Sequence, residues 1–237
     1  MTPESPVVEM TGVVKNYSTL RPLRIAALSV ARSERVAIGG IDAVGAEVFL
    51  NLVTGAALPD GGEINVFGQN TAAVANGEEW LASLDRFGIV SERAVMLEGS
   101  TVAQNLALPF TLEIDPVTAE TMARVRILAE ECGIAAEWIE QRAGDVPPEV
   151  RARIHFARAI ALDPQLLLME HPTAALAEGE RAAFGALVAR VCEPRGLTVL
   201  EITLDAAFAS TAAHRTLTLQ PSTGQLEAAR RSWWRRK

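Results

Sequence analysis

Ile38-Gly39-Gly40-Ile41-Asp42-Ala43-Val44-Gly45-Ala46-Glu47-Val48-Phe49-Leu50-Asn51-Leu52-Val53-Thr54-Gly55 decides the fold of this 237-residue chain. Val36 to Gly40 is a continuous apolar run that ends in glycines and reads as a buried strand. Val48 to Val53 has helical spacing, and Gly55 closes it. Strand, glycine turn and helix in that order leave backbone N–H groups free at a helix N-terminus, where the peptide dipoles favour an anion. Upstream, Val7 to Val14 and Ile25 to Val30 read as strands. Downstream, the turn Leu58-Pro59-Asp60-Gly61-Gly62 leads into a strand over Glu63 to Phe67, and Phe87 to Val90 is another. The middle is helical over Val102 to Leu108, Pro116 to Glu131, Ala135 to Gln141 and Glu149 to Leu162. Strands then return at Leu166 to Met169, Thr198 to Thr203 and Thr216 to Gln220, with a helix over Glu178 to Val191. This alternation predicts an α/β fold with a mixed, largely parallel sheet. Residues 1–229 are expected to form one unit, with an inserted helical subdomain at about 97–153 and a basic tail at 230–237.

Composition narrows the chemistry. With 49% hydrophobic and 22% charged residues the chain can bury a sizeable core. Of its 22 basic residues only Lys15 and Lys237 are lysines, which excludes mechanisms that need a lysine in mid-chain. The net charge of −7 argues against nonspecific binding to nucleic acid. That charge is uneven, because Arg230 to Lys237 hold five cations and leave 17 against 29 acids elsewhere. Cys132 and Cys192 are too few for a disulfide framework, Met1 to Met10 lacks a signal-peptide pattern, and no apolar run reaches membrane-spanning length. A reducing, cytosolic setting is expected.

The quoted segment resembles the first nucleotide motif of the ATP-binding cassette (ABC) transporter ATPases, and the likeness continues in register. Leu58-Pro59-Asp60-Gly61-Gly62-Glu63-Ile64 to Phe67-Gly68-Gln69 is similar to the family's strand after that motif. Thr101-Val102-Ala103-Gln104-Asn105-Leu106-Ala107-Leu108-Pro109 resembles a T-V-x-E-N-V-A-L-P segment familiar from the ATPase subunits of bacterial lipid-transport (MCE-type) systems. Ala157 to Pro164 matches the helix end after the family signature, and Leu166 to Thr173 the strand and D-E-P-T turn. The resemblance implies a P-loop NTPase-like core, with ATP and Mg²⁺ as cofactors.

The same alignment shows what is altered. The family's loop is G-x-x-x-x-G-K-[ST], in which backbone N–H groups and the lysine hold phosphates while the hydroxyl holds Mg²⁺. Gly40 and Gly45 stand at the glycines and Val48 follows the loop, but Ala46 takes the lysine place and Glu47 the hydroxyl place. Val36 to Pro59 contains no Arg or Lys, so no local cation substitutes. A lysine about 4 Å from one phosphate charge contributes about 4 kcal/mol at an effective dielectric of 20, roughly a thousandfold in affinity. Asp42 and Glu47 add negative charge there. One of these carboxylates either fills part of the vacant phosphate site or is simply solvated on a loop. Glu92 takes the Q-loop place, and Val146-Pro147-Pro148-Glu149-Val150 stands at the L-S-G-G-Q signature with two N–H donors removed. Glu170 replaces the Mg²⁺-orienting aspartate, His171 the general-base glutamate, and Leu204 the H-loop histidine between Thr203 and Asp205. The D-loop place reads Ala174-Ala175-Leu176-Ala177. Tyr17 fits the aromatic position that stacks on adenine, or packs; His155 and His214 read as ordinary residues.

Loss concentrated on phosphate-facing groups implies a degenerate, pseudo-ATPase member in which ATP and Mg²⁺ binding is weak or lost. Retention of Thr101, Asn105, Leu108 and Pro109 implies docking on an integral membrane permease, although Leu106, Leu108 and Phe110 also suit a core. An active ABC ATPase or a second copy would complete the assembly. Trp233, Trp234, Arg235 and Arg236 suit an anionic membrane surface, placing the chain in the cytoplasm at the inner face of the membrane. The alternatives are an active ATPase with an unorthodox site and a soluble scaffold outside transport.

Overall fold

The computed structural model describes residues 5–17, 21–73, 77–91 and 93–228. Its strands are β1 (Val8–Lys15), β2 (Leu23–Val30), β3 (Arg35–Gly39), β4 (Gly61–Val66), β5 (Gln69–Asn70), β6 (Phe87–Val90), β7 (Leu166–Glu170), β8 (Thr198–Ile202), β9 (Arg215–Leu219) and β10 (Leu226–Ala228). Its α-helices are α1 (Ala43–Val53), α2 (Gly77–Leu84), α3 (Val102–Ala107), α4 (Ala119–Glu131), α5 (Pro148–Ile160), α6 (Glu178–Cys192) and α7 (Ala206–Ala212).

The strands form two sheets. One is antiparallel, in the order β2-β1-β4-β5; the other runs β10-β9-β3-β8-β7-β6, with β9 through β6 parallel and β10 antiparallel at the edge. The six-stranded sheet is the mixed, largely parallel sheet expected from the sequence, and the antiparallel sheet stands beside it. β1, β2 and β4 alternate buried and exposed positions, the pattern of a sheet with one wet face. β7 and β8 are buried at every position, because both faces of the parallel sheet are covered.

Two apolar clusters follow from this layering. The first contains Val36, Ile38, Leu168, Leu200 and Ile202 from one face of the parallel sheet, the inner face of the antiparallel sheet, and Ala46, Phe49, Leu50 and Val53 of α1 between them. The second lies on the opposite face and joins Leu167, Met169 and Val199 to residues of α3 through α7. The apolar residues of the helical middle thus share one continuous cluster with α6 and α7. Both cysteines are free and buried there, and burial pushes their thiols up to about 12.

Several elements differ from expectation. The first helix begins at Ala43, because the Asp42 side chain caps it. Over Ala135 to Gln141 only Ala136–Trp138 closes, as a 3₁₀ turn. The helix α2 has no fully buried residue and hence no clear apolar period; its Trp80 ties it down by donating Nε1–H to the Thr54 carbonyl at 2.9 Å.

Candidate functional site

β3 delivers the glycine turn to the N-terminus of α1 between the two sheets. Gly40 has φ of +84°, and a Cβ there would stand 2.8 Å from the Leu219 carbonyl oxygen of β9. The next donors are already engaged. Asp42 Oδ1 accepts the Gly45 N–H at 2.7 Å, and the Asp42 carbonyl accepts from Ala46 at 2.8 Å. A carboxylate therefore caps the helix at one of the N–H groups a phosphate would seek, and that carboxylate is Asp42. The Ala46 methyl is fully buried in the inter-sheet cluster. Tyr17 leans over the same turn: a Cβ on Gly45 would lie 3.3 Å from its hydroxyl oxygen and 3.1 Å from Asp42 Oδ1. Tyr17 packs on the inter-sheet cluster and also lines, with Arg21, Arg24, Gly40 and Asp42, a shallow cavity of about 320 Å³.

The second part of the site comes from the ends of β6 and β7. Their parallel register pairs Val90 with Met169, which sets the following residues, Ser91 and Glu170, side by side. Ser91 Oγ donates to Glu170 Oε2 at 2.9 Å and accepts the Arg93 backbone N–H at 3.2 Å. The Arg93 guanidinium then donates to Glu170 Oε2 at 2.6 Å and pairs through its other terminal nitrogen with Glu47 of α1. Val36 to Pro59 holds no Arg or Lys, but the sheet brings Arg93 to Glu47 from 46 residues further along the chain. The missed signal was an arginine two residues past a buried serine at a strand end.

Other positions singled out in the sequence have different surroundings. His171 sits in the left-handed region at φ of +41°, its N–H donates to the Ile202 carbonyl at 2.8 Å, and its buried Nε2 meets no partner among the described residues. Leu204 is 64% exposed, while Asp205 caps α7 and pairs with Arg181 at 3.2 Å. Pro147 and Pro148 open α5 as N-cap and first helical residue. His155 on α5 is held toward its neutral form by burial, reinforced by Arg158 and Arg151. Thr101 caps α3 in a capping box with Gln104. Asn105, expected at a docking surface, is instead fully buried; it bonds the Leu97 N–H and carbonyl, each at 2.9 Å, and the Thr101 carbonyl at 3.0 Å. Through these bonds its amide fixes the loop before α3. Leu108 and Pro109 are half-buried. Glu92 and the tail residues Trp233, Trp234, Arg235 and Arg236 lie outside the described residues.

The ABC transporter family model matches residues 23–174, well over half of the chain. The chain belongs to the ABC transporter family. Among curated relatives, an Fe(3+) ions import ATP-binding protein (FbpC) of Serratia marcescens is 30% identical over 199 residues, which is 84% of this chain and 56% of that protein. A methionine import ATP-binding protein (MetN) of Brucella abortus is 31% identical over 204 residues, 84% of this chain and 53% of that one. The ABC chain described here thus spans about half the length of these relatives. Among solved structures, cbiO1 of Clostridium perfringens, part of the ABC transporter complex cbiONQ, superposes with a TM-score of 0.77 at 18% identity, over 94% of this chain and 87% of that chain. A bacterial ABC transporter cassette solved as a dimer gives 0.73 at 22% identity, over 93% and 96%. At such identities these two show the fold, that of the P-loop NTPases.

At the places where the family holds Mg²⁺ and nucleotide, this chain carries different groups. The lysine place is a buried methyl, a loop donor is engaged by Asp42, and both carboxylates at the metal-facing places are taken by one guanidinium. Among the described residues no group of three or more His, Cys, Asp or Glu could hold a metal ion.

Proposed function

We propose that the chain is a catalytically degenerate cassette of an ABC transporter, docking on a membrane permease at its cytoplasmic face as a structural or regulatory half. The observation that carries this reading is the phosphate end of the site. Asp42 holds the Gly45 N–H at 2.7 Å beside a buried Ala46, so a carboxylate stands where an anion must bind. Binding there has to break the helix cap and overcome like-charge repulsion without a lysine in return. Prolines at 147 and 148 also withhold N–H groups from a nucleotide shared with a second cassette, whether that is an active ABC ATPase or another copy.

Among the described residues no helix is long and apolar enough to cross a membrane, in keeping with a peripheral partner for a permease. For cargo, the Thr101 to Pro109 likeness to lipid-transport ATPases favours a lipid-handling permease.

The test is thermal unfolding and phosphate release with Mg·ATP, alongside an active cassette as control. Because ligand at its own Kd stabilises by only about 0.4 kcal/mol, a cassette without a working site is expected to show no resolvable shift at millimolar ATP. A saturable shift with steady turnover would overturn the reading. Permease capture by the tagged chain, undiminished when ATP is omitted, completes it.

A further inference from the structure

We propose that Arg93 is a built-in replacement for the metal ion: its guanidinium joins Glu47 and Glu170 in the way a divalent cation would, and removing it uncovers a divalent-cation site. The inference rests on the degenerate reading above only in taking the wild-type pocket to exclude Mg·ATP.

The arrangement is built into the fold. One terminal nitrogen of Arg93 faces Glu47 of α1, and the other faces Glu170 at the end of β7 at 2.6 Å. A planar fork with two separate donors suits two carboxylates brought by different elements. Arg93 is itself held, since its backbone N–H donates to Ser91 Oγ, and that hydroxyl donates to the same Glu170 oxygen. The Glu170 side chain is only 10% exposed, so its charge needs a partner in place before the strand ends can pack. A resident guanidinium meets that need at all times, whereas a metal meets it only when bound.

The chemistry of the donors is that of a hard cation once the arginine is gone. Glu47, Glu170 and Ser91 offer oxygen ligands only, and Arg93 and Glu47 are each about half exposed, which leaves room for waters to complete a shell. So small an oxygen set is expected to bind Mn²⁺ weakly but saturably.

The experiment uses the full chain without nucleotide and MnCl₂ as the probe, read by the electron paramagnetic resonance signal of free Mn²⁺ and by melting temperature. Wild type is expected to bind no Mn²⁺ saturably and to melt alike in MnCl₂ and in EDTA. Arg93→Met should melt lower in EDTA, bind one Mn²⁺, recover part of the lost stability on binding, and lose both effects when Glu170→Gln is added. Should Arg93→Met fail to fold in EDTA, recovery of folding by MnCl₂ supports the proposal and its absence counts against it. A folded Arg93→Met that takes up no more Mn²⁺ than wild type overturns it, as does wild-type Mn²⁺ binding that Glu170→Gln abolishes. Metal-free ATP binding that Arg93→Met removes also overturns it, because the guanidinium would then serve phosphate. Turnover of Mg·ATP by wild type would sink the functional reading, whereas failed Mn²⁺ uptake by Arg93→Met sinks this inference alone.

Discussion

Glu201 sits on β8 in the middle of the parallel sheet, with 1% of its surface exposed and neither carboxylate oxygen meeting a donor among the described residues. Burial holds its proton affinity well above the usual carboxylate range, and attraction to Arg35 only partly opposes this. The native state therefore keeps a proton that the unfolded chain releases near pH 4.5, and stability falls as pH rises from there toward the raised folded value. Glu201→Met should raise stability by about 1–3 kcal/mol at neutral pH, and by less at pH 5, as read by urea unfolding at both pH values. An equal gain at both would show that Glu201 does not titrate on unfolding. Asn105 is the opposite case, a buried amide with its donors and acceptor used. Asn105→Ala should cost about 2–3 kcal/mol by leaving the Leu97 backbone groups unmatched, and should speed proteolysis between α3 and the loop before it. If instead permease capture fell while stability held, the side chain would belong to docking after all.

At the scale of elements, α1 begins at an Asp42 cap and α5 at two prolines. Asp42→Ala should cost about 1 kcal/mol in urea unfolding, and Asp42→Asn much less, since Asn caps equally well. Replacing Pro147 and Pro148 by glycine should lower stability by about 1–2 kcal/mol through the freer unfolded chain. No response to ATP should be gained, because Asp42 still caps the phosphate end of the site. An ATP-dependent melting shift in that variant would mean that the signature segment, and not Asp42, is what excludes nucleotide. The parallel strands were legible in the sequence because runs such as Leu166 to Met169 are buried on both faces and need no periodicity to be seen. The separate antiparallel sheet was not, since pairing partners are fixed by register between distant segments. The altered site was legible as absences at Ala46, Glu47 and Leu204. Its one addition, Arg93, was not, because 46 residues of chain and one parallel register separate it from Glu47.

At the scale of the molecule, charge separates body from tail: the last eight residues carry five cations, against an excess of acids elsewhere. At about 1 kcal/mol for each cation near an anionic bilayer, deletion of residues 230–237 should abolish sedimentation with phosphatidylserine vesicles at low salt. Raising salt to about 0.5 M should do the same to the full chain. Vesicle binding unchanged by the deletion would remove the tail from the membrane. A last consequence concerns Gly40. A side chain at that turn would press into the Leu219 carbonyl of the neighbouring strand, so glycine is required there by the sheet itself, whatever the loop binds. Glycine at 40 is therefore silent about the loop's chemistry: it would stand there with or without a nucleotide to hold.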